Sequence, residues 1–453
     1  MGKTAFNVGL IDADIAARRA VVLLDYRGDL LDRVCQRIAA KYSPEEMADR
    51  LLLFDLRSPL GASTGNGGYT VGFNPLAQCG RTAYARGLFT FDAFDQHFRG
   101  ALGVQTSETL QNSLLALALT GGTLLDVEPL LTSEAFRTQT LARIDDSTIR
   151  RFFARLEALP EAQRALWVNP IQNKLAPFTI NPVLRTLLGD TQSVSIQEFL
   201  DRRSDGIVLF CAGADEHFGS TAIMLSNLFV NAAAAAVMRT DRASRHSVLF
   251  YADEFQNLCG SDKFSEIISE GRRFGLWLTL SHQSPSQLEP KIRTLVRNVV
   301  STSLLFGLGG ADSEILAGEI SSDEPKTVLR NLLLNQHVGE AVLLRQGMPA
   351  VRIKTRYAPD PDVSPLAVHA LRQASLRRHG RPSAEVVAEL RAREALFLPE
   401  LPPARRPVAQ GFGQPSEPSA QPDRAASRQP FKKKPSAIRH CDEEEYEVRE
   451  SDE

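Results

Sequence analysis

Apolar residues in the first part of the chain fall in short unbroken runs. Ala20–Asp25 (AVVLLD) and Leu51–Asp55 (LLLFD) have no internal polar break. That is the pattern of strands covered on both faces in a parallel sheet. Between them, Asp25, Tyr26, Arg27, Gly28 and Asp29 read as a strand-end turn that opens a helix. From about residue 105 to residue 195 the pattern changes. Strand runs vanish and apolar residues recur at helical spacing, as at Leu110, Leu114 and Leu117, or Phe152, Leu156 and Leu159. This predicts an all-helical insertion. Strands return at Gly206–Cys211, Val248–Tyr251, Leu276–Leu280 and Thr302–Phe306, most of them separated by helical stretches. Such alternation predicts a mainly parallel sheet with helices on both faces. Ala341–Arg345 and Ala350–Lys354 read as a closing hairpin, and residues 366–398 as one or two polar helices. Nine prolines fall between Pro399 and Pro435, a density that predicts a disordered tail over 399–453.

Composition narrows the classes. A hydrophobic share of 43% and a charged share of 23% suit a soluble globular protein. A net charge of −2 excludes capture of nucleic acid by bulk charge, so any such surface is a local patch. Cys35, Cys79, Cys211, Cys259 and Cys441 are scattered without a C-x-x-C pair, which argues against a disulfide framework or a zinc site. The longest apolar stretch, Thr221–Met238, is interrupted by Ser226, Asn227 and Asn231 and reads as a buried helix rather than a membrane span. The tail carries Lys432–Lys434 and ends in an acidic run from Asp442. A solvated end and a docking element are both open readings of it.

The candidate chemistry sits in two separated places. Gly2-Lys3-Thr4 matches the end of a phosphate-binding loop, where a Lys holds β/γ-phosphates and a Thr holds Mg²⁺. Asp253-Glu254 closes the apolar run of residues 247–252, where one carboxylate can hold the same metal and the other orient a water. Met1 stands where the middle of the loop belongs, so the expectation is a chain truncated at its N-terminus within that loop. Each motif has a plain alternative, since Gly-Lys-Thr occurs by chance and Asp-Glu can cap a helix. Downstream, Gly271-Arg272-Arg273-Phe274-Gly275 precedes a strand that ends in Ser281-His282-Gln283. A polar residue at the end of the strand beside the catalytic one faces the ligand crevice of an open α/β sheet, which places Gln283 near a γ-phosphate. Arg272 is expected near the rim of the same crevice. His282 reads as a packed, hydrogen-bonded histidine.

These residues together resemble the hexameric DNA-pumping ATPases of the FtsK/HerA superfamily, and within it the coupling proteins of conjugation and type IV secretion. The turn at Asp25–Asp29 and the stretch Phe73–Leu76 resemble the same group, over about residues 1–355. The resemblance implies a RecA-like P-loop NTPase. Its motor domain would be split into residues 1–104 and 199–365 around an insertion at 105–198, followed by C-terminal helices at 366–398. It implies ATP and Mg²⁺ as cofactors. Gly2, Lys3 and Thr4 would bind the nucleotide, and Thr4 and Asp253 the metal. Glu254 would act as catalytic base, Gln283 as phosphate sensor, and Arg272 as a finger entering the neighbouring subunit of a homo-hexamer. Arg297-Asn298 and Phe306-Gly307 stand where it implies Gly-Asn and Phe-Arg. It implies DNA as partner through backbone contacts. Relaxosome or secretion-channel proteins would dock on the helical part and the acidic tail. The place implied is the cytoplasm, peripheral to the bacterial inner membrane. A translocase that works with a nuclease in DNA end processing, and a non-catalytic adaptor, are the alternatives.

Overall fold

The structure, a computed structural model, describes residues 2–57, 68–77, 82–98, 101–213, 219–238, 246–258, 262–319, 325–345, 348–357 and 359–397. The Pro-rich tail expected from residue 399, and Cys79, Cys259 and Cys441, lie outside the described residues. Cys35 and Cys211 are buried free thiols.

The strands are β1 (Ala20–Asp25), β2 (Leu51–Asp55), β3 (Tyr69–Thr70), β4 (Ile207–Cys211), β5 (Val248–Ala252), β6 (Leu276–Leu280), β7 (Thr302–Leu305), β8 (Glu340–Arg345), β9 (Val351–Lys354) and β10 (Arg381–Pro382). Five of them form one parallel sheet in the order β2-β4-β1-β5-β6, with Val21 opposite Ile207 and Leu249, and Phe250 opposite Leu278. Successive residues of a strand point to opposite faces, and both faces are covered. Val21, Leu23, Leu51, Leu53 and Leu209 pack with Val8, Ile11, Leu31 and Val34. These last come from helices α1 (Lys3–Ala16) and α2 (Asp29–Lys41). On the other face, Val22, Phe54 and Phe210 meet Phe229 of the helix Gly219–Met238, whose ring stacks on Phe210 with centroids 4.3 Å apart. Among the described residues this is the one helix long and apolar enough to cross a membrane. Within its span Thr221–Met238, 83% is buried, so it is a core helix of the sheet's second layer.

That same apolar cluster continues into Leu110, Leu114, Leu117, Phe153 and Leu156. They lie in a run of seven α-helices from Val104–Thr120 to Ile196–Arg202, with no strand between them. Side-chain caps set several of their starts, as where Asp146 accepts from the amides of Thr148 and Ile149.

One strand expectation needs correction. Thr302–Phe306 forms β7, but it does not extend the parallel sheet. It pairs antiparallel with β8, which pairs antiparallel with β9, in a separate three-stranded sheet. Periodicity reports that a segment is a strand and is silent on its partner.

The polar C-terminal helices are Pro365–His379 and Ser383–Ala395. The first is tied to β2. Ser375 donates to the Leu51 carbonyl at 2.7 Å. Arg372 reaches Asp55 at 3.0 Å and Asp32 at 2.5 Å, and Arg57 binds the same two carboxylates. The Asp55 side chain is only 4% exposed. Breaking a buried pair from one side costs about 3–5 kcal/mol. Arg372→Ala is expected near the lower end of that range, because Arg57 remains on both carboxylates. A fall in the urea midpoint at constant m checks it, and an unchanged midpoint contradicts it.

Candidate active site

The site forms at the C-terminal ends of β1, β5 and β6, where α/β sheets carry their ligands. α1 opens directly above these ends. Gly2 precedes it with φ 127°, and a Cβ there would lie 2.9 Å from the Phe306 ring, so glycine is required on both counts. Lys3 is half-buried, and its Nζ donates to the His282 carbonyl at 2.5 Å. Burial lowers the Lys3 ammonium from its ordinary pKa, against the pull of Glu254 and Asp253. Thr4 lines the same crevice in the first turn.

Asp253 follows β5, and its amide donates to the Leu24 carbonyl. Burial, with Asp25 and Glu254 nearby, pushes the Asp253 carboxyl up to about 7, while Lys3 opposes the rise. Asp25 is 1% exposed and accepts from the amides of Arg27, Gly28 and Leu31, which fixes the turn into α2. Burial raises its carboxyl in spite of those amides. Glu254 takes a left-handed backbone, φ 52°, rare outside glycine. Its carboxylate accepts from Gln283 Nε2 at 2.7 Å and from Gln256 Nε2 at 2.5 Å. A strained residue held by two side chains is the mark of a site whose geometry is set in advance. His282 packs edge-on against Phe255 at 5.3 Å, and burial lowers its pKa, as its packed role predicts.

Lys3, Thr4, Asp253, Glu254 and Gln283, predicted from two ends of the chain, are therefore brought to one crevice. Arg272 is not brought to that end. It lies in the short turn Gly271–Phe274 ahead of β6, whereas Gln283 follows β6. Five strand residues at about 3.3 Å each separate the two levels by roughly 15 Å. Arg272 therefore lines the same crevice at its far end, away from Lys3 and Glu254 of its own protomer. Its exposed guanidinium lies over the Trp277 ring, 5.6 Å from the centroid. Gln256 and Asp25 were not singled out as site residues. The signal for Asp25 was present, a carboxylate ending the strand next to β5. Gln256 offered only its place two residues after Glu254.

The donor set suits a phosphate-bound divalent ion. Among the described residues no group of three or more His, Cys, Asp or Glu could hold a metal alone. Mg²⁺ takes one or two carboxylates and completes its shell with phosphate oxygens and water. Asp253 and Thr4 match that requirement beside Lys3. Burial first, and then the like charges of Asp25 and Glu254, raise the Asp253 carboxyl, and a bound cation would offset both.

A strand-helix sheet with its polar cluster at the C-terminal strand ends defines a RecA-like α/β fold. Comparison with known proteins places it more closely. Residues 134–299 match the family model of the type IV secretion-system coupling protein DNA-binding domain, a stretch that includes Asp253, Glu254, Arg272 and Gln283. The fold is similar to the bacterial conjugative coupling protein TrwB in its deltaN70 form, at TM-score 0.56 and 14% identity over 80% of this chain and 84% of that one. TrwB in complex with the non-hydrolysable ATP analogue ADPNP matches to the same extent. VirB4 of Thermoanaerobacter pseudethanolicus matches at TM-score 0.51 and 16% identity, over 79% of this chain and 87% of that one. At these identities the likeness to the solved structures is one of fold. No curated protein sequence matches the chain. The family match and the fold agree with the motifs: the chain is type IV coupling-protein-like.

Proposed function

We propose that the chain is the motor of an ATP-driven DNA translocase that recruits and pumps DNA in conjugation or type IV secretion. The observation that carries this reading is the meeting of Lys3 with Asp253, Glu254 and Gln283 at the C-terminal strand ends. Bound Mg-ATP would supply the phosphoanhydride to be cleaved and the charge that draws these groups together. Lys3 neutralises phosphate oxygens, and Thr4 and Asp253 hold the metal. Glu254 orients the attacking water. Gln283 already sits on the Glu254 carboxylate, so a γ-phosphate that takes its amide would free that base. In this way the state of the nucleotide reaches the strand end.

The same reading assigns residues 105–198 to an insertion carried on a motor split between 1–104 and 199–365. It makes the working form a homo-hexamer on DNA, gripping the backbone without sequence preference. Relaxosome or channel proteins would dock on the helical part and the acidic tail. The TrwB and VirB4 likenesses in fold support the motor assignment, and the family match supports the coupling role. The test is ATP hydrolysis with and without DNA, in protein carrying a full glycine-rich loop ahead of Gly2. DNA should stimulate turnover, and added salt should weaken that stimulation steeply, as phosphate contacts require. Hydrolysis indifferent to DNA at low salt would remove the translocase reading.

A further inference from the structure

The antiparallel sheet has the order β7-β8-β9, so β9 is its outer edge. Among the described residues no strand pairs with that edge. One face of the sheet is closed by the helices Gly310–Glu319 and Lys326–Leu334, whose Ala317, Leu329 and Leu333 pack with Val342 of β8. The edge itself stays open, with Val351, Arg352, Lys354 and Arg356 all exposed. Its charge is one-sided. Residues 341–359 hold Arg345, Arg352, Lys354 and Arg356 and no Asp or Glu. Glu340, opposite Lys354, is the one carboxylate of the three strands, and it lies 3.8 Å from Arg352.

The register fixes which groups this edge offers. The Thr355 amide donates to the Gly339 carbonyl at 2.7 Å, so its backbone faces β8. Backbone direction alternates along an antiparallel strand. Ile353, opposite Ala341, therefore also faces β8, and Arg352 and Lys354 turn their N–H and C=O groups outward. The residues with outward backbone are thus the cations of the strand. Their side chains lie about 7 Å apart on one face, two residues being one full pleat. Charges on an edge keep neighbouring strands from pairing with it, but they do so selectively. A second β9 would bring like charges together, whereas an acidic strand would be drawn in. The phosphates of a nucleic acid can meet the cations but donate nothing to the outward carbonyls.

We propose that β9 is a docking edge for an extended acidic segment of a partner protein, which adds to the sheet as a fourth strand. Main-chain bonds to Arg352 and Lys354 would hold it, and side-chain pairing would select it. Residues directly across from Arg352 and Lys354 share their face and would be Asp or Glu. The residues between them fall on the face of Val351 and Ile353 and would be apolar. The surface reads an alternation of acidic and apolar residues, not acidity alone. It is independent of the nucleotide reading.

The test uses the full chain and two short peptides of equal composition, one alternating Glu and Val, the other with its Glu and Val in separate blocks. The alternating peptide should bind at least about 10-fold more tightly, the scale of two or three cross-strand pairs. It should slow exchange of the Arg352 and Lys354 amides by at least about 10-fold and leave Val21–Leu24 unchanged. Lys354→Pro removes an outward N–H without touching a bond to β8. It should abolish binding, whereas Lys354→Ala should only weaken it. Unchanged exchange at Ile353 and Thr355 shows that β9 still pairs with β8 in the proline variant. Arg352→Glu together with Lys354→Glu should pass the preference to a peptide alternating Lys and Val. No binding of the alternating Glu peptide leaves the charges as guards of the edge and overturns the proposal. Equal binding of the two Glu peptides, or equal losses from Lys354→Pro and Lys354→Ala, overturns it as well. So does an oligothymidylate that displaces the peptide and protects the same amides.

Discussion

Arg272→Ala is expected to lower ATP turnover by about 10³–10⁵, the range measured for arginine fingers, while leaving the fold intact. Arg272 is exposed, and its one described aromatic contact is Trp277. A cation over a ring at an exposed site is worth only about 0.5–1 kcal/mol, so the guanidinium is readily drawn elsewhere. Its level at the start of β6 puts it a strand length away from Lys3 and Glu254 of the same protomer. On the proposed ring reading, a phosphate contact from there would be made to a neighbour. Guanidinium is always charged and forks onto phosphate oxygens, which lysine does not reproduce. Mixing Arg272→Ala subunits with Glu254→Gln subunits should therefore restore part of the activity that each lacks alone. Turnover independent of protein concentration, with no rescue on mixing, would take the ring model's chief support away.

Glu254→Gln is expected to slow turnover by about 10²–10⁴ while Mg-ATP still binds, in protein given a glycine-rich loop ahead of Gly2. The amide keeps the size of the carboxylate but cannot take up the proton of the attacking water. Glu254 sits in a left-handed conformation, and holding a non-glycine residue there costs on the order of 1–3 kcal/mol. The bonds from Gln283 and Gln256 help to hold it. The strain buys a fixed direction for the carboxylate, which is why a change of chemistry without a change of shape is the informative substitution. Nucleotide binding by equilibrium titration, beside single-turnover hydrolysis, separates the two effects. Hydrolysis near the parent rate would exclude Glu254 as the base.

Much of the central sheet was legible because its strands are covered on both faces. Unbroken apolar runs such as Ala20–Asp25 and Gly206–Cys211 leave little choice but a buried parallel strand. Asp253, Glu254 and Gln283 were legible because strand ends in such sheets point at the crevice. Partners across long separations were not legible. β3 and β10 are two residues each and pair over some three hundred positions, too short to show a period. β7 had the pattern of a strand but not the identity of its neighbour. Arg372, on the helix Pro365–His379, meets Asp32 and Asp55 only through the tertiary fold. Order along the chain brings Arg272 close to Gln283 but does not show that a whole strand's length keeps the two at opposite levels of the sheet.

The order β2-β4-β1-β5-β6 also governs when this sheet can come into being. β1 and β2 follow one another in the sequence but do not touch, because β4 stands between them. About 150 residues separate Asp55 from Ile207, so at roughly 5–20 residues per second a ribosome needs about 8–30 s to deliver the missing middle strand. For that time Leu51–Phe54 is an apolar strand without a neighbour on either side. The helices made in the interval, with their local contacts, can form while the sheet waits. Closure of the sheet therefore waits on the helical middle of the chain, although two of its strands are made before that middle.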